Sequence, residues 1–273
     1  MSPARASFRD HYGPWALVAG AAVGLGAEYA RQIAASGLDV VLVDRDEAPL
    51  RETARAVADA AGVRTLPVVA DLGRADVATV LAAAVAEREI GLLVYNAAIG
   101  TVAPFLDTTP AHSMAMLDVN CRGPLLLAHE FVPAMVARGR GGVVLMSSMS
   151  GNFGSAQLAV YAATKAFNLV LADALWVELA PHGVDVLAVQ PGSTRTPGWQ
   201  SSQPPELQGP GPHVMEPADV VAAALAHLGD GPNVVPGDGN RQGAAVLGGM
   251  PRRQAVELMS QITRGLLPNV GRR

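Results

Sequence analysis

Short apolar runs and longer stretches of helical period take turns along the whole chain. Seven runs, residues 17–19, 40–43, 65–69, 92–95, 143–147, 184–189 and 233–235, are rich in valine and leucine. They are too short for helices and mostly lack polar alternation, the pattern of strands buried on both faces. Apolar residues spaced three and four apart lie between them, predicting helices over 27–36, 47–61, 75–87, 110–138, 160–180 and 217–228. The expected fold is therefore α/β, a single doubly wound parallel sheet of about seven strands with helices on both faces. No repeat or linker divides the chain, so residues 1–273 are read as one domain. Right-handed crossovers bring the carboxyl ends of the strands to one edge, where such sheets bind ligands. Gly20, Asp44, Asp71, Asn96, Ser148 and Pro191 all fall at those ends.

Gly20-Ala21-Ala22-Val23-Gly24-Leu25-Gly26 follows the first strand and opens a helix, and Asp44 closes the second strand. Glycines let the backbone approach a pyrophosphate, and the free N–H groups of a helix start favour its charge. The acid, twenty-four residues after Gly20, is placed for the ribose of a dinucleotide. A carboxylate there repels a 2′-phosphate, so NAD is expected over NADP, although the adjacent Arg45 supplies a cation.

Tyr161 and Lys165 stand four apart in a helical stretch, one above the other on the same face. An ammonium near a phenol favours the phenolate and lowers a pKa that is otherwise near ~10. Such a phenol exchanges protons with a substrate oxygen. Ser148 lies thirteen residues upstream of Tyr161. The six histidines are scattered, with no pair at i+3 or i+4, and the single cysteine, Cys121, cannot form an internal disulfide. No His/Cys cluster has metal spacing, so no metal is expected.

The glycine pattern joined to Ser148, Tyr161 and Lys165 resembles the short-chain dehydrogenase/reductase family, from about Tyr12 to about Thr196. Asp71-Leu72, Asn96-Ala97, Asn120 and Pro191-Gly192 with Thr194 and Thr196 match further motifs in order. The resemblance implies a Rossmann-type fold, with Gly20, Gly24, Leu25, Gly26, Asp44, Arg45 and these motif residues around the cofactor. It makes Tyr161 the general acid/base, Ser148 the partner of the substrate oxygen and Lys165 the holder of the nicotinamide ribose. Asn120 would anchor a water. Val23 stands before Gly24, where NADP users of the family often carry a basic residue. Ala19, Tyr95 and Ala98 depart from the pattern at positions that brace the sheet and the adenosine side. The opening Tyr12-Gly13-Pro14-Trp15, the Tyr95 segment and the Ser148-Met149-Ser150-Gly151 run are similar to bacterial 7β-hydroxysteroid dehydrogenases and related ketone reductases.

Half of the residues are hydrophobic, and twenty basic against twenty-four acidic residues give a net charge of −4. No basic cluster suggests nucleic acid. The polar N-terminus and the expected lack of an eighteen-residue apolar span predict a soluble cytoplasmic protein. Residues 197–217 hold six prolines and no helical period, the mark of a lid or a disordered segment, and a substrate lid is expected. Trp199, Leu207 and Met215 in that segment, with Met149 and Phe153, are expected to wall a bulky apolar alcohol or ketone, a hydroxysteroid being the best single choice. An apolar stripe over 251–267 predicts a C-terminal helix packed on its own body or on a partner. A homodimer or homotetramer is expected, with Phe167, Leu171, Leu175 and Leu179 as a candidate stripe. Alternatives are a broad-range or NADPH-dependent carbonyl or 3-oxoacyl reductase, a catalytically silent nucleotide-binding regulator, and a surface-attached module.

Overall fold

The computed structural model describes residues 7–202 and 214–266. Among them, β1 (Trp15–Ala19), β2 (Asp39–Asp44), β3 (Thr65–Val69), β4 (Ile90–Tyr95), β5 (Gly141–Met146), β6 (Val184–Val189) and β7 (Asn233–Val234) form one sheet. All neighbours are parallel, in the order β3-β2-β1-β4-β5-β6-β7. The expected doubly wound sheet is the fold observed. Its order reverses between β1 and β4, which opens a crevice at their carboxyl ends.

The helices preceding β5 are α1 (Phe8–Tyr12), α2 (Gly24–Ala35), α3 (Glu47–Ala61), α4 (Val77–Val85), α5 (Pro110–Leu117) and α6 (Gly123–Arg138). Those that follow are α7 (Ala159–Leu179), α8 (Pro197–Ser202), α9 (Pro217–His227), α10 (Asp238–Gly248) and α11 (Arg252–Leu266). Alternate strand residues divide two cores. Ala16, Val18, Val40 and Leu42 pack with α2, α3 and α9, whereas Leu17, Val41, Val43 and Leu93 pack with α4, α6 and α7. Burial on both faces is why these strands read as unbroken apolar runs.

Four expectations change. The helix expected over 110–138 is α5, a π-helical turn Asp118–Arg122 and α6. Two helices went unread: α1 and α10. Residues 197–217 are not wholly irregular, since α8 opens them and Met215 forms a bridge with Thr194; Leu207 lies outside the described residues. Finally, α7 and its extension to His182 are long and apolar enough to cross a membrane by composition, contrary to the expected lack of such a span. That helix carries Lys165, which is buried against the carboxyl end of β5, so its place is on the sheet.

Candidate active site

A cleft of about 390 Å³ opens at the strand-order reversal, lined by Gly20, Asp44, Asp71, Asn96, Tyr161 and Lys165 among others. Gly20 leaves β1 at φ +81°, and a Cβ there would meet Ala97 at 2.7 Å. Gly26 packs α2 directly onto that turn: a Cβ would overlap the Gly20 carbonyl and sit 2.7 Å from Asn96 Nδ2. Asn96 Nδ2 donates to the same carbonyl at 2.8 Å, so strand β4 holds the shape of the turn. Helix α2 begins at Val23 with no side-chain cap. Its first-turn amides are thus available to an anion, and the cradle fits a dinucleotide pyrophosphate.

Asp44 sits at the lip, accepting from the backbone N–H groups of Ala22 (3.0 Å), Arg45 (2.8 Å) and Asp46 (3.3 Å). These bonds fix the carboxylate at the end of β2. Leu25, Arg45, Leu72, Ala97, Pro191 and Thr196 also line the cleft. Gly26, Gly192 and Thr194 do not; they stand behind the wall. A Cβ on Gly192 would meet Asn240 Oδ1 at 2.5 Å, and Thr194 Oγ1 donates to the Gly192 carbonyl at 3.2 Å.

Asn120 lies in the π-helical turn and is fully buried. Pro124, at the start of α6, has no N–H to offer the Asn120 carbonyl. That carbonyl accepts from Asn168 Nδ2 at 3.0 Å instead. The Asn120 side chain bonds both backbone groups of Ile99 at 2.8 Å and donates to Thr164 Oγ1 at 3.0 Å. The asparagine therefore braces the backbone after β4. Thr164 and Asn168 were missed from sequence, though a signal existed: with Tyr161 and Lys165 they form a polar stripe at i, i+3, i+4 and i+7 on an apolar helix.

The Ser148 hydroxyl stands close enough to Tyr161 to favour its phenolate. The Ser148 hydroxyl also accepts from Ser150 N (3.2 Å) and Ser150 Oγ (3.0 Å). Its neighbour Ser147 turns away and donates to the Lys165 carbonyl at 2.7 Å. Lys165 is 3 % exposed, and its Nζ donates to the Met146 carbonyl at 2.8 Å. Burial brings its pKa down to about 8. Burial also pushes the Tyr161 pKa up, with the Ser148 hydroxyl pulling partly back. The expected lowering of the phenol by Lys165 is thus reversed. Desolvation disfavours the phenolate, and the ammonium is turned to a carbonyl, 5.6 Å from the ring centroid.

None of the four expected substrate residues lines the described cleft. Met149 N–H donates to the Pro191 carbonyl at 3.2 Å, and Phe153 lies under the Arg252 guanidinium at 5.8 Å. Trp199, half-buried in α8, donates its backbone N–H to Thr196 Oγ1 at 3.2 Å. Met215 packs on the core, its sulfur accepting from Asn240 Nδ2 at 3.4 Å.

Residues 14–207 match the family model described as short chain dehydrogenase. The chain belongs to the short-chain dehydrogenase family, and it is an oxidoreductase of that family. It is 30% identical to the 7β-hydroxysteroid dehydrogenase of Clostridium sardiniense, covering 94% of this chain and 98% of the relative. A solved structure from work on 7β-hydroxysteroid dehydrogenase stereoselectivity superposes with a TM-score of 0.86 at 30% identity, over 93% of this chain and 99% of that one. A short-chain dehydrogenase from Sphingobium yanoikuyae, solved in complex with NADPH, gives 0.73 at 32% identity, over 88% and 97%.

Proposed function

We propose that the protein interconverts a secondary alcohol and a ketone on a bulky apolar substrate, a hydroxysteroid, with NAD(H) as its cofactor. The observation that carries this reading is the single cleft at the strand-order reversal, which the glycine turn, Asp44, Tyr161 and Lys165 line together. Gly20, Gly24 and Leu25 would hold the pyrophosphate on a turn that Gly26 packs from behind, and Lys165 the nicotinamide ribose. When bound there, a nicotinamide cofactor takes up the hydride in oxidation and returns it in reduction. Tyr161 accepts the alcohol proton in oxidation and donates it in reduction. The Ser148 hydroxyl stabilises charge developing on the substrate oxygen.

NAD is favoured because the Asp44 carboxylate is fixed at the lip by three backbone donors. Asp44→Ala should shift the ratio of kcat/KM for NAD over NADP by about tenfold or more towards NADP, equivalent to ~1.4 kcal/mol. The opposite reading, an NADPH-dependent reductase, has the NADPH-bound relative and Arg45 at the lip on its side. A wild-type ratio favouring NADP decides for it.

The steroid reading draws on the near full-length likeness to a 7β-hydroxysteroid dehydrogenase and on the apolar side chains of the surrounding loops. Trp199→Ala should raise KM about tenfold for steroid-sized ketones and little for small ones, since apolar contact scales with the area buried. Equal loss at both sizes removes Trp199 from the substrate wall.

A homodimer or homotetramer is proposed, for a soluble cytoplasmic enzyme. Leu171, Leu175 and Leu179 pack on their own core, so they are not the stripe that supports it. Instead Val170 and Val177 of α7 are 66% and 64% exposed, and Met114 and Leu117 of α5 are exposed too. An apolar face of that kind marks an association surface. Light scattering at micromolar concentration should give a multiple of 28.1 kDa, and Val177→Asp should return it to that mass.

A further inference from the structure

We propose that α11 is a clasp on the substrate side of the site, with Ser260 and Thr263 as positioning residues that fix the loop between Ser148 and Tyr161 for bulky substrates. The proposal rests on the alcohol–ketone oxidoreductase reading given above. The buried face of α11 is not greasy throughout: Ala255, Ser260 and Thr263 form it. Ser260 Oγ accepts the Ala156 N–H at 3.0 Å and donates to the Val256 carbonyl at 2.7 Å. The Thr263 and Ser155 hydroxyls lie 2.6 Å apart, and both reach the Met259 carbonyl, at 2.9 and 3.3 Å. A helix serving only to cover apolar surface needs no such set. These bonds read the backbone and hydroxyl of one loop.

That loop leads directly into the reacting tyrosine. The Leu158 N–H donates to the Ser155 carbonyl at 3.2 Å, and Ala162 N–H to the Leu158 carbonyl at 2.8 Å, starting α7 around Tyr161. From the other side, Ala103 N–H donates to the Gln157 carbonyl at 2.9 Å, tying the loop to the segment after β4. Arg252, in the first turn of α11, covers Phe153 of the same loop. Residues 153–157 are therefore gripped between the segment after β4 and the C-terminal helix. On this proposal a large substrate would reach past the cleft to this loop, whereas a small one would need only Ser148 and Tyr161, which β5 and α7 carry independently.

Ser260→Ala combined with Thr263→Val tests this in the full-length protein, with wild type measured first on small and polycyclic ketones. The double variant should raise KM about tenfold for the polycyclic ketone, leave kcat/KM for the small ketone within about twofold, and keep cofactor affinity. Ser260→Thr with Thr263→Ser should retain wild-type behaviour. Hydrogen exchange should quicken about tenfold at the Ala156 amide and not in the central strands, because that amide loses its acceptor. Equal loss on both substrates, or an unchanged Ala156 amide, overturns the clasp. Wild type inactive on every carbonyl sinks the alcohol–ketone reading instead, and the exchange measurement still decides whether α11 grips the loop.

Discussion

Tyr161→Phe is expected to lower kcat by about a hundred- to ten-thousandfold, the span associated with losing a positioned acid/base group. Only one hydroxyl is removed. Losing one polar hydroxyl should cost ~1 kcal/mol at most, a Tm shift within about 2–4 °C for a chain of this size. Cofactor titration should therefore give wild-type affinity. Lys165→Ala should both slow turnover and weaken the cofactor, separating the two roles. The pH dependence follows from burial. Reduction uses the phenol, and burial keeps Tyr161 in that form across the neutral range, so its rate should be flat there. Oxidation uses the phenolate, whose fraction climbs about tenfold per pH unit while the pH stays below the pKa. Lys165 loses its charge as pH passes about 8, so KM for the cofactor, whose ribose it is proposed to hold, should rise beyond that point. A Phe variant turning over within about tenfold of wild type would sink the assignment of Tyr161 as the acid/base.

Much of this was legible because of where burial falls. Strands β3 and β6 and helix α3 have the limits that their apolar patterns gave: Arg64, Gly183 and Asp46 precede them, and Gly62 stops the helix. Helix α10 was not legible. Gly239, Gly243 and Gly248 interrupt it, and its fully buried positions include Asn240, which serves Met215 and Pro236 rather than an apolar face. Helix α1 has five residues, too few to show a period, and is held by a Ser7 cap and by Tyr12 donating to Asp185 at 2.6 Å. The π-helical turn was hidden because one shifted residue leaves apolar spacing almost intact. Pro124, which follows the turn, was in view but reads as an ordinary first-turn proline. The order of the site motifs came from sequence, yet the state of Tyr161 could not. That depends on how deeply the folded chain buries a phenol and on which way Lys165 turns.

Tyr95 shows how a departure from the family pattern is absorbed, and it supports the second large effect: Gly123→Ala should cost about 3 kcal/mol or more. Tyr95 is buried at the end of β4, and its hydroxyl donates to the Val119 carbonyl at 2.6 Å. Gly123 begins α6 against that hydroxyl. A Cβ there would overlap Tyr95 Oη outright and sit 2.9 Å from Cζ and 3.0 Å from the Leu72 carbonyl. Either the ring leaves Val119, stranding a buried hydroxyl, or α6 lifts from the sheet. At about 2–4 °C per kcal/mol for a domain of this size, Tm should fall by roughly 6–12 °C. Val119 lines the cleft and precedes Asn120, so cofactor affinity should fall as well. Tyr95→Asn, restoring the family's usual residue, leaves a cavity and should itself cost about 3 kcal/mol. Combined, the two changes should be less harmful than their sum by about 1–3 kcal/mol, because asparagine vacates the space that the alanine methyl needs. Urea unfolding of both single variants and the double variant measures that coupling. Additivity within ~0.5 kcal/mol would show that Gly123 answers to something other than the tyrosine hydroxyl.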